Sequence, residues 1–342
     1  MRRLGHLFIK HNVVFDIEQT EKKIRDARAA VESDFEQVQR GEIIVRSGEV
    51  VTAQQQRKLE QMRELGKSRA DTRTVIGYLI ISSLIIITIY LFTASVWSKF
   101  RPTVRDLVLM SSCLIGSFLL VKLHLVLGKA FSLSYAELDT TMLVLAAPLA
   151  AGGILLQVTL GSASVFYFTV VFALLIDIFF ASSWLFMLMI IMGNIVGAVS
   201  VKRASRRSVF LLAGGRMALV NLIIVICFIL LNPPASGETN ALRMLCALIG
   251  GVMSGVFAAG LTPIAEFVGG YITDIKLLEL ASLDRPVLRD LAMAAPGTWN
   301  HSVVMGQMAE SAAESIDANG LLARVGAYYH DIGKTRKPSY FT

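Results

Sequence analysis

Residues 75–96 read VIGYLIISSLIIITIYLFTASV, a run without a single charged side chain. A helix of about 20 predominantly apolar residues crosses the hydrocarbon core of a bilayer, so this stretch predicts a transmembrane helix. Six further apolar runs follow it along the chain. The seven predicted membrane helices lie near 75–96, 105–127, 138–157, 163–181, 183–201, 209–231 and 241–262. Short spacing between the third, fourth and fifth runs leaves a count of five or six helices open.

The composition of the whole chain supports the same class of protein. Of its 342 residues, 54% are hydrophobic and only 17% are charged, and the mean hydropathy is +0.60. These values lie outside the range of soluble globular proteins and predict a membrane protein. The three cysteines, Cys113, Cys227 and Cys246, all fall inside apolar runs without a CxxC spacing, which disfavours a zinc site or a disulfide framework.

Positive charge in the short loops predicts the orientation of the helices. Lys99, Arg101 and Arg105 lie beside the loop after the first run, and four basic residues lie in VKRASRR after the fifth. The loop NPPASGETN carries only one charged residue, Glu238. Because Lys and Arg are enriched on the cytoplasmic side, an odd number of crossings puts the chain after Thr262 in the cytoplasm and the N-terminal segment outside.

The N-terminal segment, 1–74, is predicted to be a small α+β piece at the end of an extracellular domain. DIEQTEKKIRDARAAV has the composition of a helix, and GEIIVRSGEVV suggests two short strands around a turn at Ser47-Gly48. Thr52 and Gln55 form a capping box for a second helix, expected to end at Gly66. The apolar core of MRRLGHLFIKHNVVF is too short for a signal peptide, so we expect an upstream segment for export.

Polar residues inside the apolar runs do not favour a transporter, since no predicted helix carries several inward-facing charges. The Gly193/Gly197 and Gly251/Gly255 pairs have the small-xxx-small spacing of closely packed membrane helices. Pro148 is expected to kink the third helix.

A linker helix is predicted over 263–284. Its apolar side chains recur at three- and four-residue spacing and are Ile264, Phe267, Val268, Tyr271, Ile275 and Leu278. The stripe has two equally supported interpretations. It is buried against the following domain, or it pairs with its copy in a homodimer and transmits rearrangements of the membrane region.

The C-terminal region, 285–342, carries the candidate metal-binding and catalytic residues. In GTWNHSVVMGQ, Thr298 is a plausible N-cap and His301 falls in the first turn of an Ala-rich helix. In VGAYYHDIGK, His330 and Asp331 fall in the last turn of a helix that ends near Gly333. Imidazole together with carboxylate suits Mn, Fe or Zn better than Ca.

Alternative interpretations of these residues exist. An isolated His-Asp pair is most often a polar helix end. Asp331 is the natural bridge between two metal ions that clamp a phosphodiester. Lys334 adds positive charge near a phosphate, although a lysine at a helix C-terminus is also common. From residue 264 onward the chain has seven Lys and Arg against nine Asp and Glu, which argues against a polynucleotide partner.

GTWNHSVVMGQMAESAAESIDANGLLARVGAYYHDIGKTRKPSYF resembles the first part of the HD phosphohydrolase domain in bacterial seven-transmembrane receptors with an intracellular HD domain, the membrane cyclic di-AMP phosphodiesterases. The resemblance extends through DIKLLELASLDRPVLRDL, the apolar runs and the N-terminal NVVFDIEQTEKKIRDARAAV. It implies a mainly α fold, in which a seven-helix membrane bundle precedes an all-α HD domain.

The resemblance also implies a function and a site. His301, His330 and Asp331 match the first ligands of a two-metal site for Mn or Fe, with Asp331 bridging. Trp299-Asn300 stands where the family often has Tyr-His. The implied reaction is hydrolysis of cyclic di-AMP to linear pApA in the bacterial inner membrane, under control of an unknown extracellular ligand. Adenine is not distinguished from guanine by these residues alone.

Later ligands of the family motif would fall beyond Thr342. We therefore expect a chain cut at both ends and inactive as it stands. The alternative function is a catalytically inactive membrane receptor or regulatory protein that retains part of an HD scaffold.

Overall fold

The computed structural model describes residues 16–30, 44–45, 51–67, 72–98, 100–132, 142–180, 184–202, 204, 206–232 and 235–337. The chain divides into two compact units, Met1–Val75 and Ile76–Thr342. The described part contains helices and no strand. The strands predicted around Ser47-Gly48 lie outside the described residues.

Among the described residues between 16 and 67, the first unit has the helices α1 (Ile17–Ala30) and α2 (Ala53–Lys67). The predicted capping box at the start of α2 is confirmed. The Thr52 backbone N–H donates to Gln55 Oε1 at 2.9 Å, and the Gln55 N–H donates to Thr52 Oγ1 at 3.4 Å. These two bonds satisfy backbone donors that have no partner inside the helix.

The membrane region and the C-terminal helices follow. In chain order they are α3 (Thr72–Val96), α4 (Val104–Ser132), α5 (Met142–Leu145), α6 (Ala151–Thr159), α7 (Ser162–Phe180), α8 (Trp184–Val201), α9 (Ser208–Leu231), α10 (Gly237–Gly269), α11 (Asp274–Leu280), α12 (Pro286–Ala294), α13 (Pro296–Ser315) and α14 (Gly320–Tyr329). Among the described residues, five helices are long and apolar enough to cross a membrane: α3, α4, α8, α9 and α10. The helix α7 is a shorter apolar helix. The protein is therefore a multi-pass membrane protein, while the count of seven uninterrupted helices is not confirmed.

The third predicted membrane helix, 138–157, is broken rather than kinked. The short helix α5 ends at Leu145, a turn containing Pro148 follows, and α6 begins at Ala151. Proline has no N–H to donate and disfavours the α conformation of the preceding residue, which interrupts the helix here. Ile154 and Leu156 of α6 are fully buried among the neighbouring helices, so the broken segment lies in the protein interior.

Close helix packing at the glycine pairs is confirmed for α10. A Cβ built on Gly251 would lie 2.2 Å from the Ala218 nitrogen of α9, and one on Gly255 would lie 2.4 Å from the Phe210 carbonyl oxygen. Only glycine permits this approach, so α9 and α10 pack backbone to backbone. A glycine also permits close packing between α6 and α8, because a Cβ on Gly153 would lie 1.9 Å from Asn194 Oδ1.

The prediction of one linker helix over 263–284 is wrong. The helix α10 continues through Pro263 to Gly269 and stops because Gly270 adopts a left-handed conformation with φ +64°. Thr273 then caps a new helix, α11, by accepting a bond from the Lys276 N–H at 3.3 Å. The expected stripe is thereby divided, since Phe267 is 90% exposed on α10 whereas Ile275 is buried on α11.

Candidate metal centre

The helix that carries His301 begins earlier than expected. The helix α13 starts at Pro296, whose missing N–H costs nothing at the first helical position. Thr298 is therefore not the N-cap, a role held by Ala295, but a buried residue inside the helix. His301 consequently lies in the second turn rather than the first.

The helix that precedes His330 ends earlier than expected. Asn319 caps the start of α14, because its Oδ1 accepts a bond from the Leu322 N–H at 2.9 Å. The helix stops at Tyr329 rather than near Gly333, and a 3₁₀ helix follows at Ile332–Arg336. His330 and Asp331 occupy the junction. Adjacent residues point apart on a continuous helix, and this junction lets both side chains serve one site.

The packing of α13 against α14 brings the two histidines together. Gly306 of α13 has the Tyr328 ring against it, and the Trp299 ring meets the same tyrosine edge-on at 5.5 Å between centroids. An ion pair between Arg324 Nη1 and Glu310 Oε2 at 2.9 Å joins the helices further along. These contacts set the C-terminal end of α14 beside the His301 turn of α13.

His301, His330 and Asp331 form a cluster with metal-ligand character. Each offers a ligand atom, and these atoms all lie within 4.8 Å of one another. The two imidazole rings are 5.8 Å apart between centroids, and His330 Nε2 lies 3.3 Å from Asp331 Oδ2. Both histidines are exposed and the aspartate is half-buried, so the cluster is open to a ligand from solvent.

A backbone contact fixes the tautomer of His330. Its Nδ1 lies 2.7 Å from the Ala327 carbonyl oxygen, which only accepts hydrogen bonds, so Nδ1 carries the proton. In the neutral ring, Nε2 then presents its lone pair toward the Asp331 carboxylate. This is the arrangement in which metal-binding histidines are oriented by a carbonyl behind them.

Lys334 is part of the same group of side chains. Its Nζ donates to Asp331 Oδ2 at 2.6 Å, the same oxygen that faces His330. This hydrogen bond is the largest cause that lowers the pKa of Asp331, and partial desolvation opposes it. Coulombic interactions with His330, Lys334 and His301 lower the pKa of Asp331 further. Asp331 is accordingly an ionised acceptor at neutral pH.

The donor set fits a divalent transition metal. Two ligand atoms on one ion with bonds of about 2.0–2.2 Å stand about 3.0–3.4 Å apart, and the observed separation between His330 Nε2 and Asp331 Oδ2 is 3.3 Å. A nitrogen lone pair and a carboxylate oxygen repel each other at this distance unless a proton or a cation lies between them. In the part of the chain that the structure describes, these residues form the one group of at least three His, Cys, Asp or Glu side chains whose ligand atoms all lie within 4.8 Å of one another.

Sequence reasoning missed the residues that hold the cluster in place. It gave no role in the site to the Ala327 carbonyl, Tyr328 or Gly306, although each positions an element that carries a ligand. Gly306 offered a usable signal, because a glycine inside an Ala-rich helix costs about 1 kcal/mol relative to alanine and suggests a close packing contact.

Family models match most of the chain and not only the region of the cluster. A family model described as 7TM receptor with intracellular HD hydrolase matches residues 72–273, which is more than half of the chain. The model described as 7TM-HD extracellular matches residues 1–65, and the HD domain model matches residues 298–342. No solved structure matches the chain.

Curated relatives agree with these models. The chain is 29% identical to the cyclic-di-AMP phosphodiesterase PgpH of Bacillus subtilis over 99% of its own length and 47% of the relative. It is 28% identical to the protein of the same name from Listeria monocytogenes, over 96% of this chain and 45% of that one. An uncharacterized protein of Synechocystis is 31% identical over 43% of the chain and 18% of the relative. The chain spans about half the length of the two PgpH relatives. It belongs to the family of seven-transmembrane receptors with an intracellular HD hydrolase domain.

Proposed function

We propose that the protein is a membrane-bound, metal-dependent phosphodiesterase that hydrolyses cyclic di-AMP to linear pApA under control of its extracellular and transmembrane regions. The observation that supports this most is the convergence of His301, His330 and Asp331 at the junction after α14. The names of the two PgpH relatives supply the substrate.

The three ligands and Lys334 divide the work of the proposed site. His301, His330 and Asp331 would hold the metal. Their nitrogen and oxygen donors suit Mn or Fe. When bound, such a metal supplies positive charge for the phosphodiester oxygens and lowers the pKa of water. Asp331 has a second carboxylate oxygen for a second ion, in line with a two-metal site.

Lys334 has a role separate from that of the ligands. Its ammonium group lies on the Asp331 side of the cluster, within reach of an incoming phosphate. A positive charge fixed there stabilises charge that develops on the phosphoryl oxygens during cleavage. The exposed histidines leave the cluster open to a substrate as large as a cyclic dinucleotide.

A catalytically inactive receptor is the second candidate function, and one observation favours it. Lys334 already compensates the charge of Asp331 at 2.6 Å, so the carboxylate has a cationic partner without a metal ion. In that case the C-terminal helices serve as a relay or docking element and not as an enzyme.

The domain division and orientation complete the proposal. The segment 1–74 is the end of the extracellular domain, 75–262 the membrane region, 263–284 the linker and 285–342 the HD part, which lies in the cytoplasm of a bacterial cell.

Cysteine labelling of a cysteine-free protein in intact cells tests the orientation. Ser236→Cys should react with an impermeant maleimide and Ser205→Cys should not, and the reverse pattern rejects this orientation.

Hydrolysis distinguishes the two functions. The protein, produced from its native gene and placed in nanodiscs with Mn²⁺, should release linear dinucleotide from cyclic di-AMP, and cyclic di-GMP serves as the competing substrate. Asp331→Asn should abolish release, whereas Asp290→Asn, which changes an exposed carboxylate on α12, should not. Mn²⁺ binding without hydrolysis of either nucleotide favours the receptor, and hydrolysis that survives Asp331→Asn rejects this site.

A further inference from the structure

A long apolar groove lies between α4, α6 and α10, apart from the metal cluster. Its volume is about 720 Å³, and its walls are mostly hydrophobic. Representative lining residues are Leu109, Gly116, Leu120, Leu155, Phe257 and Ile264. In a membrane protein this face meets lipid rather than water, so an apolar groove here is a place for hydrocarbon.

One end of the groove is charged. The Arg105 guanidinium lies 4.4 Å from the centre of the Tyr271 ring, and its Nη1 donates to the Gly269 carbonyl at 3.1 Å. Its side chain remains 56% exposed. Asp106 is the neighbouring acid, with Oδ1 3.9 Å from Arg105 Nε.

The Asp106 carboxylate faces the protein interior. It accepts hydrogen bonds from the Tyr271 hydroxyl at 2.9 Å and from the Thr103 N–H and hydroxyl, both at 2.8 Å. A molecule that approaches from the membrane edge therefore meets the guanidinium and not the carboxylate. A guanidinium pairs with phosphate through parallel N–H bonds, which gives this end of the groove a preference for phosphate anions.

The groove is longer than one leaflet of hydrocarbon is thick, so it has room for the length of an acyl chain. From Arg105 to Leu120 the groove follows α4 for about 22 Å at 1.5 Å per residue. Half of a hydrocarbon core of about 30 Å is about 15 Å. We propose that the groove binds an acyl chain of an anionic phospholipid from the leaflet next to the HD helices, with the lipid phosphate on Arg105.

The position of this lipid gives it a route to the linker. Arg105 bonds the last residue of α10 and stacks on Tyr271, the residue after the break at Gly270. A phosphate on the guanidinium would compete with the Gly269 carbonyl for the same donors. Lipid composition would then alter the contact that holds the linker to the start of α4.

A glycine in the groove offers a clean perturbation. A Cβ on Gly116 meets no atom within 4 Å, so Gly116→Leu places its side chain in the groove without a clash at the backbone. Gly215 of α9 is equally open but does not line the groove, which makes Gly215→Leu the matched control. Arg105→Gln removes the charge at the headgroup end and leaves the apolar walls unchanged.

The experiment uses the purified protein in nanodiscs of phosphatidylcholine that contain a trace of phosphatidylglycerol with a photoreactive diazirine near the acyl-chain end. Peptides of α4 and α10 around the groove should be labelled in the unmodified protein and in Gly215→Leu, and labelling should be lost in Gly116→Leu. Unlabelled phosphatidylglycerol should compete better than phosphatidylcholine, by about fivefold for one basic contact, and Arg105→Gln should remove this preference.

Two results would overturn the proposal. One is labelling spread evenly over all membrane-facing helices and insensitive to Gly116→Leu, which indicates bulk lipid only. The other is equal competition by the two lipids in the unmodified protein, which shows that Arg105 does not recognise an anionic headgroup. If Gly116→Leu fails to fold, the headgroup preference and its loss in Arg105→Gln still decide the outcome.

Discussion

The contact between Gly306 and Tyr328 gives a sharp test of how the candidate metal cluster is assembled. Tyr328 lies two residues before His330, so a shift of its ring moves the junction that carries His330 and Asp331. Gly306→Ala adds one methyl group at this contact. Gly326→Ala adds the same group on α14, where a Cβ meets no atom within 4 Å.

The magnitude follows from the geometry of the two sites. A Cβ on Gly306 would lie 2.6 Å and 3.0 Å from two carbons of the Tyr328 ring, whereas carbon atoms in contact stand about 3.5–4.0 Å apart. The ring or the helix must therefore move by about 1 Å, and overpacking of this kind costs about 1–3 kcal/mol. Replacing glycine by alanine in a helix returns about 1 kcal/mol at both positions, so this gain cancels when the variants are compared. Gly306→Ala should be less stable than Gly326→Ala by about 1–3 kcal/mol.

Metal affinity is the assay that separates displacement of the ligands from a general loss of stability. Mn²⁺ binding, followed by electron paramagnetic resonance, should be weaker by about tenfold in Gly306→Ala, as for other changes in residues that support ligands. Gly326→Ala should bind like the unmodified protein. Equal affinity in the two variants, with equal thermal stability, would refute the idea that the Tyr328 contact positions the cluster.

Three further predictions concern single contacts. Asp331→Asn should abolish Mn²⁺ binding measured in the same way, because it removes the carboxylate of the cluster; retained binding would show that the ligands lie elsewhere. Tyr329→Phe removes a hydroxyl that donates to the Leu280 carbonyl at 2.7 Å. Loss of a hydrogen bond worth about 1 kcal/mol should make the α14 amides exchange hydrogen several-fold faster. Unchanged exchange would contradict a structural role of this bond. Glu279 has its pKa lowered from 4.5, first by the Arg207 hydrogen bond, so its stabilisation is present above pH 4.5 and is lost as the pH falls through the lower folded value. Melting curves of Glu279→Gln and the unmodified protein should therefore differ at pH 7 and converge in acid, and a constant difference would assign the effect to packing.

Much of the fold follows from patterns that sequence displays directly. Hydropathy identifies the long membrane helices, since the bilayer imposes a minimum length on every apolar run. Close packing at Gly251 and Gly255 was predicted for a similarly local reason, because small residues at this spacing remove the side chains between two backbones. The structure identifies α9 as the helix that packs there. The grouping of His301, His330 and Asp331 was expected from residue types together with the family resemblance.

Other features depend on competition between local signals and could not be read from the pattern. The apolar stripe predicted one linker helix, yet the left-handed conformation of Gly270 and the cap at Thr273 ended one helix and began another. Pro148 was expected to kink a helix, but the deep burial of α6 among its neighbours stabilises a complete break. At Gly270 and Thr273, local signals prevailed over the apolar periodicity. At Pro148, the packing of α6 decided between a kink and a break.

The break at Gly270 bears on the proposed control of the candidate metal cluster by the membrane region. A single rigid helix would pass any movement of α10 directly to the C-terminal helices, whereas a linker with a left-handed turn needs side-chain contacts on both sides of the turn. The structure provides such contacts, from the stacking of Arg105, at the start of α4, on Tyr271 to the bond between Tyr329 and the Leu280 carbonyl. The last of these lies one residue from His330. A set of adjoining contacts transmits a signal only if it has two arrangements. The exposed Arg105 contact is the point in this route where a ligand from outside the protein has access to it.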